Sequence, residues 1–352
     1  MSIQLLGDDE VQETAAAIAA LQLPNGMIPW FPGGHADPWN HVEAAMALVI
    51  AGHRRSAERA YQWLEGIQHA DGGWHTYYLA GDVVEEKRRD TNVVAYVAAG
   101  AWFHYLSTRD RSFLEWSWPM VRKAIEFSLR LQLPGGELIW AVDGDEELPR
   151  YALLTGSSSA YLSLRCAVAI AEELGDDQPE WELAAARLGD AVAHRPDAFE
   201  PKHRWAMDWY YPVLCTAVTG ERARAHLEDR WDEFIMDGIG VRCVSDQPWV
   251  TAAETAECAL AYDAAGLPVR AAMLVSWLAD MRDDDGLYWT GRVHPQKVNF
   301  PGGERSSYTA AAVILADNAL RSCHPTSGLF RGQGLPAAME VPVSEITRRD
   351  RS

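Results

Sequence analysis

The sequence has little of what marks secreted, disulfide-bonded or membrane-spanning proteins. Its five cysteines are scattered and odd in number, and no two form a CxxC pair, so neither a disulfide framework nor a zinc ribbon is predicted. No stretch reaches the ~18 consecutive apolar residues of a membrane span, and the acidic first ten residues lack the pattern of a secretion signal. We therefore expect a cytoplasmic protein whose cysteines are reduced core residues.

Basic residues are also few relative to acidic ones. Thirty-one Lys and Arg stand against fifty Asp and Glu, a formal net charge of -19, which disfavours nucleic acid and anionic membranes as partners. No lysine follows a glycine-rich strand turn, and the loop histidines His35, His41 and His294 lack metal-ligand spacing. We therefore expect neither a cofactor nor a metal, and the sequence does not indicate an oligomeric state.

What the chain does have is an internal repeat. A Leu-Gln or Ile-Gln pair is followed by a glycine turn and a tryptophan in three places, and weaker copies follow in three more. The turns lie at 25–30, 71–74, 135–140, 197–199, 237–240 and 285–289. The sequence therefore predicts six equivalent units.

Each turn precedes a helix that is nearly apolar all round, and a second helix with a polar face follows it. The apolar helices are predicted at 37–51, 90–102, 157–174, 208–219, 251–265 and 306–320. An open stack of six hairpins would expose apolar faces at both ends, whereas a closed ring has no ends. We therefore predict an all-α (α/α)6 toroid, with six helical hairpins in two concentric rings, as a single catalytic domain over 1–323. No alternating run is long enough to predict a sheet, and the pattern leaves the packing of the tail, 324–352, open.

Acidic residues stand at the starts of the apolar helices, which a closed ring brings together. Glu254 lies one turn into an apolar helix, where a buried carboxylate is expected only if it is paired or has a functional role. Asp208 lies in an aromatic-dense stretch and is either a binder of sugar hydroxyls or a second carboxylate. Asp37 and Asp90 are either functional or simple N-caps, and Glu257 is either functional or paired with a core arginine. Facing carboxylates in one funnel are what glycoside hydrolysis requires.

Aromatic and polar side chains in the same loops are candidates for sugar binding, because flat apolar rings suit sugar faces. Arg242 either clamps the substrate or neutralises neighbouring carboxylates. With Asp90, the predicted substrate-binding set is Trp30, Trp39, His41, Trp74, Asn92, Trp209, Tyr210, Arg242, Trp249, Trp289 and Glu304.

Gln-His-Ala-Asp-Gly-Gly-Trp at 68–74 resembles the QW repeat of triterpene cyclases, and the hairpin series is similar to the toroids of those cyclases, of protein prenyltransferase β subunits and of several glycoside hydrolases. The cyclase acid motif Asp-x-Asp-Asp has only an imperfect counterpart, Asp-Gly-Asp-Glu at 143–146. No counterpart of the prenyltransferase zinc ligands stands out. The run Asp-Asp-Asp at 283–285 belongs to a repeat turn and favours a solvated loop.

The stretches at 207–212, 241–254 and 288–291 resemble a group of actinobacterial proteins labelled as prenyltransferases, which is similar to the mycobacterial methylmannose polysaccharide hydrolases. That resemblance implies an endo-acting, inverting hydrolase of cytoplasmic, partly O-methylated α-1,4-mannan. Glu254 would be the general acid and Asp37, on the opposite side of the funnel, the base, with Asp208 the substitute for either. A terpenoid or prenyl enzyme, which would need a deep apolar cavity with a metal, and a non-catalytic carbohydrate-binding toroid remain alternatives.

Overall fold

The computed structural model describes residues 5–143 and 149–339, which are mostly helical. The α-helices are α1 Asp8–Leu21, α2 Pro38–Ile50, α3 Arg54–Ile67, α4 Thr91–Ala95, α5 Val97–Thr108, α6 Arg111–Leu129, α7 Leu154–Leu174, α8 Pro179–His194, α9 Ala206–Leu214, α10 Gly220–Asp229, α11 Trp231–Phe234, α12 Ala252–Ala264, α13 Pro268–Trp277 and α14 Ser307–Arg321. The strands are β1 Tyr77–Leu79, β2 Val83–Glu86, β3 Arg89–Asp90, β4 Ala141–Val142, β5 Ile235–Met236, β6 Gly240–Arg242, β7 Trp249–Thr251, β8 Trp289–Val293 and β9 Val298–Arg305.

The helices form two concentric rings. In the inner ring α2 packs on α5, then α7, α9, α12 and α14 follow in turn, and α14 packs back on α2. Helix α4 shares the position of α5, because the two are consecutive and separated only by Tyr96. Helices α1, α3, α6, α8, α10 and α13 pack outside the inner ring. The predicted (α/α)6 toroid is confirmed.

The glutamine and the glycine of each repeat explain how neighbouring units are joined. The Gln68 amide donates to the Gly72 carbonyl in its own turn and to the Met120 carbonyl of α6, each over 3.0 Å. Gln22 and Gln132 make the corresponding pairs of bonds. A Cβ on Gly72 would lie 2.1 Å from the Lys123 carbonyl oxygen, so the turn packs against α6 too closely for any other residue. The glutamine and the glycine of the repeat therefore join each turn to the next outer helix.

The last turn closes the ring. Thr14 of α1 donates its hydroxyl to the Gly286 carbonyl over 2.8 Å, which joins the sixth unit to the first. In the same turn Asp283 and Asp285 both bind the Arg305 guanidinium. The aspartate run at 283–285 therefore belongs to a structural turn, as predicted.

The expectation that no sheet forms was wrong. Strands β5 to β9 make a five-stranded antiparallel sheet in sequence order, and two two-stranded sheets pair β1 with β2 and β3 with β4. Strands β5 to β7 have only two or three residues, and β8 and β9, with five and eight, show no alternation of buried and exposed residues. They come from the loops before α12 and α14, which lie side by side because those helices are neighbours in the ring.

The chain after 323 packs on the end of the ring where the inner helices finish. Leu329 and Phe330 are buried and belong to the main core cluster, and Arg331 pairs with Asp263 at the end of α12. The Trp102 indole of α5 donates to the Gly334 carbonyl over 3.1 Å. The sequence left the packing of this tail open, and its part up to residue 339 contributes side chains to the core.

Within 5–143 and 149–339, none of the helices has the length and apolarity needed to cross a membrane. All five cysteines are unpaired; Cys166, Cys215, Cys243 and Cys258 are buried as expected, whereas Cys323 is exposed.

Candidate active site

The starts of the inner helices meet at one end of the ring, and Asp37 caps the first of them. Its carboxylate accepts hydrogen bonds from the Asn40 backbone at 3.0 Å, the Asn40 side chain at 2.8 Å and the Trp30 indole at 2.7 Å. Burial raises the pKa of Asp37, and the hydrogen bonds oppose that shift because they favour the charged form. Asp37 is thus both an N-cap and a buried carboxylate with a fixed orientation.

Tyr308, at the start of α14, lies between Asp37 and Glu254. Its ring meets the ring of Trp30, the indole partner of Asp37, with centroids 4.9 Å apart. Burial, and then the charge of Glu254, raise the pKa of Tyr308. Sequence reasoning did not single out Tyr308, although, like Glu254, it stands in the first turn of an inner helix.

Glu254 is half-buried in the first turn of α12. Burial raises the pKa of its carboxyl, and the neighbouring polar groups of Thr251 and of its own backbone oppose the shift only in part. Among residues 5–143 and 149–339, no arginine or lysine contributes to the pKa of Glu254. Glu254 therefore holds its proton more strongly than an ordinary glutamate does.

The expectation that Asp37 and Glu254 stand on opposite sides of the funnel was wrong. Helices α2 and α12, which carry them, both pack on α14, so one inner helix separates them around the ring. The helix opposite α2 is α9, which carries Asp208. Asp90, before α4, stands opposite α12.

Asp208 and Asp90 have different partners. Asp208 is buried and accepts a hydrogen bond from Thr155 of α7 over 2.7 Å, and burial raises its pKa. Asp90 pairs with Arg88, whose Nε lies 2.6 Å from its Oδ1. Burial raises the pKa of Asp90, the guanidinium of Arg88 lowers it, and the charge of Asp37 raises it further. Asp90 is therefore already neutralised by a cation, unlike Asp37.

The remaining contacts complete the circle of helix starts. Asn92 of α4 packs tightly on Gly156 of α7. A Cβ added to Gly156 would lie 3.1 Å from the Oδ1 atom of Asn92. Ala206, the first residue of α9, donates its backbone hydrogen to the Cys243 carbonyl over 3.1 Å. Cys243 is close enough to Glu254 for that charge, after burial, to raise the pKa of the thiol. The six inner helix starts thus form one continuous ring of polar groups.

Below this ring lies a second pair of carboxylates, Glu43 and Glu257. Glu43 Oε1 accepts from the Trp39 indole at 3.2 Å and from the Tyr96 hydroxyl at 3.1 Å. Glu257 accepts from the hydroxyls of Tyr210 and Tyr211. Burial raises the pKa of Glu43 to about 7, and burial and the charge of Glu43 raise the pKa of Glu257.

The alternative that Glu257 pairs with a core arginine was wrong, because its partners are the hydroxyls of two tyrosines. Sequence reasoning assigned no role to Glu43, although Trp39 four residues earlier placed a donor on the same helix face.

Four residues predicted to bind sugar lie in the core instead. The Trp74 indole donates to the Leu64 carbonyl over 2.8 Å, and the Trp209 indole to the His226 carbonyl over 3.2 Å. His41 Nδ1 accepts from the Ile28 backbone, its Nε2 donates to the Ala60 carbonyl, and burial lowers its pKa to about 4. The Tyr210 hydroxyl binds Glu257. Because all four are buried with their polar atoms paired, their assignment as substrate contacts was wrong.

The rim of the funnel carries the other candidates. Trp249 is 37% exposed, and Trp289 lies under the Arg305 guanidinium at 5.2 Å. Glu304 accepts from the Thr290 hydroxyl over 3.1 Å, and burial raises its pKa. Arg242 donates to the Glu233 carbonyl over 2.9 Å, so the structure gives it a main-chain partner rather than a carboxylate.

Among the described residues no group of three or more His, Cys, Asp and Glu side chains is arranged to hold a metal ion. The sequence compared with the cyclase acid motif spans 143–146, and its last three residues lie outside the described residues.

Comparison with solved structures shows the same fold in enzymes of different activity. The GH63 mannosylglycerate hydrolase of Thermus thermophilus, in complex with glucose, superposes with a TM-score of 0.68 at 14% identity, over 86% of this chain and 99% of that one. A D-mannose isomerase superposes with a TM-score of 0.66 at 12% identity, over 89% of this chain and 96% of that one. At these identities the likeness shows the fold alone.

Sequence comparison identifies the family. No family model matches the chain. The MMP endo-(1,4)-3-O-methyl-alpha-D-mannosidase of Mycolicibacterium hassiacum is 49% identical over 336 residues, which cover 96% of this chain and 93% of that protein. The resemblance to the methylmannose polysaccharide hydrolases is thereby confirmed, and a cyclase, a prenyltransferase or a non-catalytic toroid is disfavoured. The chain belongs to the family of this mannosidase and is a glycoside hydrolase.

Proposed function

We propose that the enzyme hydrolyses internal α-1,4 bonds of an O-methylated mannose polysaccharide, with Glu254 as general acid and Asp37 as general base. The observation that carries the substrate assignment is the 49% identity, over 96% of the chain, to an endo-(1,4)-3-O-methyl-alpha-D-mannosidase. The roles of the two carboxyls rest on their surroundings.

Glu254 suits the acid because its site favours the proton. Burial raises the pKa of its carboxyl, and no arginine or lysine in the described part of the chain holds it in the charged form. A carboxylic acid whose pKa is raised holds its proton to higher pH and can give it to the glycosidic oxygen as the bond to C1 breaks.

Asp37 suits the base because hydrogen bonds stabilise its charged form. Asn40 and Trp30 supply three donors to its two oxygens. In the proposed reaction a water molecule attacks C1 on the face opposite the leaving oxygen and passes a proton to Asp37. The anomeric configuration is then inverted, which requires carboxyls roughly 6.5–9.5 Å apart.

Asp208 is the alternative base. It is buried, and its donor is the hydroxyl of Thr155. It stands on the helix opposite the one that carries Asp37, so a water between Glu254 and Asp208 would approach the sugar from a different direction. Comparing Asp37→Asn with Asp208→Asn therefore discriminates between the two assignments.

The experiment that tests the function is digestion of partly O-methylated α-1,4-mannan by the purified protein, with unmethylated α-1,4-mannan and an α-glucan in parallel. We expect new reducing ends and shorter oligomers from the methylated polymer, an inverted anomer in the first NMR spectra, and neither product with Glu254→Gln. Intact methylated polymer after prolonged incubation with the wild-type enzyme would refute the substrate assignment.

The proposal includes a cytoplasmic location and a polysaccharide, not a nucleic acid, as partner. Free thiols at Cys166, Cys215, Cys243 and Cys258, and the formal net charge of -19, support this. Fractionation of source cells should recover the activity with cytoplasmic markers.

A further inference from the structure

Two cavities lie near the entries of the inner helices, and each includes one residue already described, Glu304 in one and Asp208 in the other. The first lies between the end of α1 and strand β9. We call it the apolar rim cavity; it has a volume of about 590 Å³ and is lined by Leu21, Phe31, Pro32, Leu287, Pro301 and Glu304, with Ala20 at its edge.

The second cavity lies between the chain that leads into α7 and the chain that leads into α9. We call it the mixed rim cavity; it has a volume of about 780 Å³ and is lined by Arg150, Tyr151, Phe199, Glu200, His203 and Asp208. Each cavity has the size of an ordinary small-ligand site, which is room for a few sugar residues.

The order of the inner helices places the two cavities on opposite sides of the ring. The apolar rim cavity adjoins the entries into α14 and α2, and the mixed rim cavity adjoins the entries into α7 and α9. Around the closed ring, α5 separates the two pairs of helices on one side and α12 separates them on the other. A straight path between the cavities therefore crosses the middle of the funnel.

Each cavity has a wall residue connected with one of the candidate carboxyls. Phe31, in the wall of the apolar rim cavity, directly follows Trp30, which donates to Asp37. Asp208 is itself part of the wall of the mixed rim cavity. A chain that lies in both cavities would thus pass the carboxyls in its interior, as cleavage of internal bonds requires.

The apolar rim cavity also has a distinct chemistry. Its side chains are mainly aliphatic, aromatic or proline, and the charge of Arg305 is taken up by Asp283 and Asp285. Glu304 is the carboxylate at its inner end, where its partner is the Thr290 hydroxyl. Such a surface gains free energy from covering methyl groups, whereas free sugar hydroxyls would find few partners there.

We propose that the polysaccharide lies across the funnel from the apolar rim cavity to the mixed rim cavity, and that the apolar rim cavity binds its O-methylated residues. This inference rests on the proposed function, because it takes the substrate to be an O-methylated polymer cleaved internally.

Filling each cavity tests the inference without touching the carboxyls. Ala20→Trp fills the apolar rim cavity from the exposed face of α1, and Glu200→Trp fills the mixed rim cavity. Ala16→Trp is the matched control, since Ala16 is exposed on the same helix but does not line the cavity. We expect both filling variants to lower kcat/KM on the methylated polymer about tenfold or more and to change the lengths of the products, with Ala16→Trp unchanged.

Phe31→Ala tests the preference for methyl groups. The variant should reduce the preference for methylated over unmethylated oligomers by about fourfold for each methyl group no longer covered. Wild-type kcat/KM and product lengths in both filling variants would overturn the inference.

Binding separates a failure of the inference from a failure of the proposed function. The affinity of a methylated mannose oligomer is measured by calorimetry for Glu254→Gln, alone and combined with Ala20→Trp. If the wild-type enzyme binds but does not cleave the oligomer, the function fails, and weaker binding in the double variant still supports the cavity assignment. Equal binding in single and double variants, or no binding at all, overturns the cavity assignment.

Discussion

The indole of Trp30 donates a hydrogen bond of 2.7 Å to Oδ2 of Asp37. This contact links an aromatic side chain of the first glycine-rich turn to the carboxylate that caps the first inner helix. It fixes the direction of the carboxylate and stabilises its charged form against burial.

Removing that donor should shift the acidic limb of the pH profile. Trp30→Phe keeps an aromatic ring but loses the N–H group, so the pKa of Asp37 rises and a base that must be ionised becomes active only at higher pH. A hydrogen bond to a charged group contributes about 1.5–3 kcal/mol, so we expect the acidic limb of kcat/KM to move to higher pH by about one to two units. The pH dependence of kcat/KM is the measurement, and an unchanged acidic limb would contradict the role of Asp37.

The two candidate bases should differ sharply in their amide variants. Asp37→Asn should lower kcat by about 10²–10⁴, the usual contribution of a general base, while Asp208→Asn mainly raises KM. Single-turnover rates on a methylated oligomer separate the two effects. The reverse result would transfer the role of base to Asp208.

Two tryptophans from the predicted binding set should respond in opposite ways to removal. Trp74 is fully buried, so Trp74→Ala should cost about 3–5 kcal/mol of unfolding free energy through the cavity it leaves. Trp249 is 37% exposed, so Trp249→Ala should change stability little. Urea denaturation measures both, and wild-type stability in Trp74→Ala would show that the core assignment is wrong.

The glycine of the second repeat turn should be irreplaceable for steric reasons. At Gly72 a Cβ would lie 2.1 Å from the Lys123 carbonyl oxygen, and the backbone has φ of 95°. We expect Gly72→Ala to lower the unfolding free energy by more than ~3 kcal/mol. Gly81→Ala is the control, since φ is 78° there but a Cβ meets nothing within 4 Å, so the cost is about 1–2 kcal/mol. Similar losses in both variants would mean that backbone conformation alone explains the glycine.

Glu43 should make folding stability depend on pH. Burial raises its pKa from 4.5 to about 7, so the folded protein binds a proton that the unfolded chain releases, and the unfolding free energy falls between pH 4.5 and 7. The groups around it are Trp39, Tyr96, Glu257 and Asp37. The expected loss is on the order of 2–3 kcal/mol.

Glu43→Gln is the matched variant for this prediction, because its amide oxygen can still accept the hydrogen bonds from Trp39 and Tyr96. Urea unfolding at pH 5 and pH 8 should show a smaller difference in the variant than in the wild-type protein. The same difference in both would assign the pH dependence to another group.

The repeat pattern was sufficient to predict the toroid, because its physical basis is local. A glutamine at a fixed distance from a glycine joins each turn to the next outer helix, and the inner helices are apolar all round because they are covered on every side. The positions of Asp37, Glu254 and Asp208 at the starts of inner helices followed from the same pattern.

Contacts between distant parts of the chain decided which side chains are buried and which carboxyls are neighbours. Trp30 and Trp74 follow similar turns, yet one binds Asp37 near the funnel and the other fills the core, because the side-chain direction depends on the helices packed around each turn. The separation of Asp37 and Glu254 by a single helix, the Glu43–Glu257 pair beneath them and the five-stranded sheet all require the closed order of the ring. Composition and spacing along the chain contain the repeat, but only the packing of α14 back on α2 decides which carboxyls stand beside and which opposite one another.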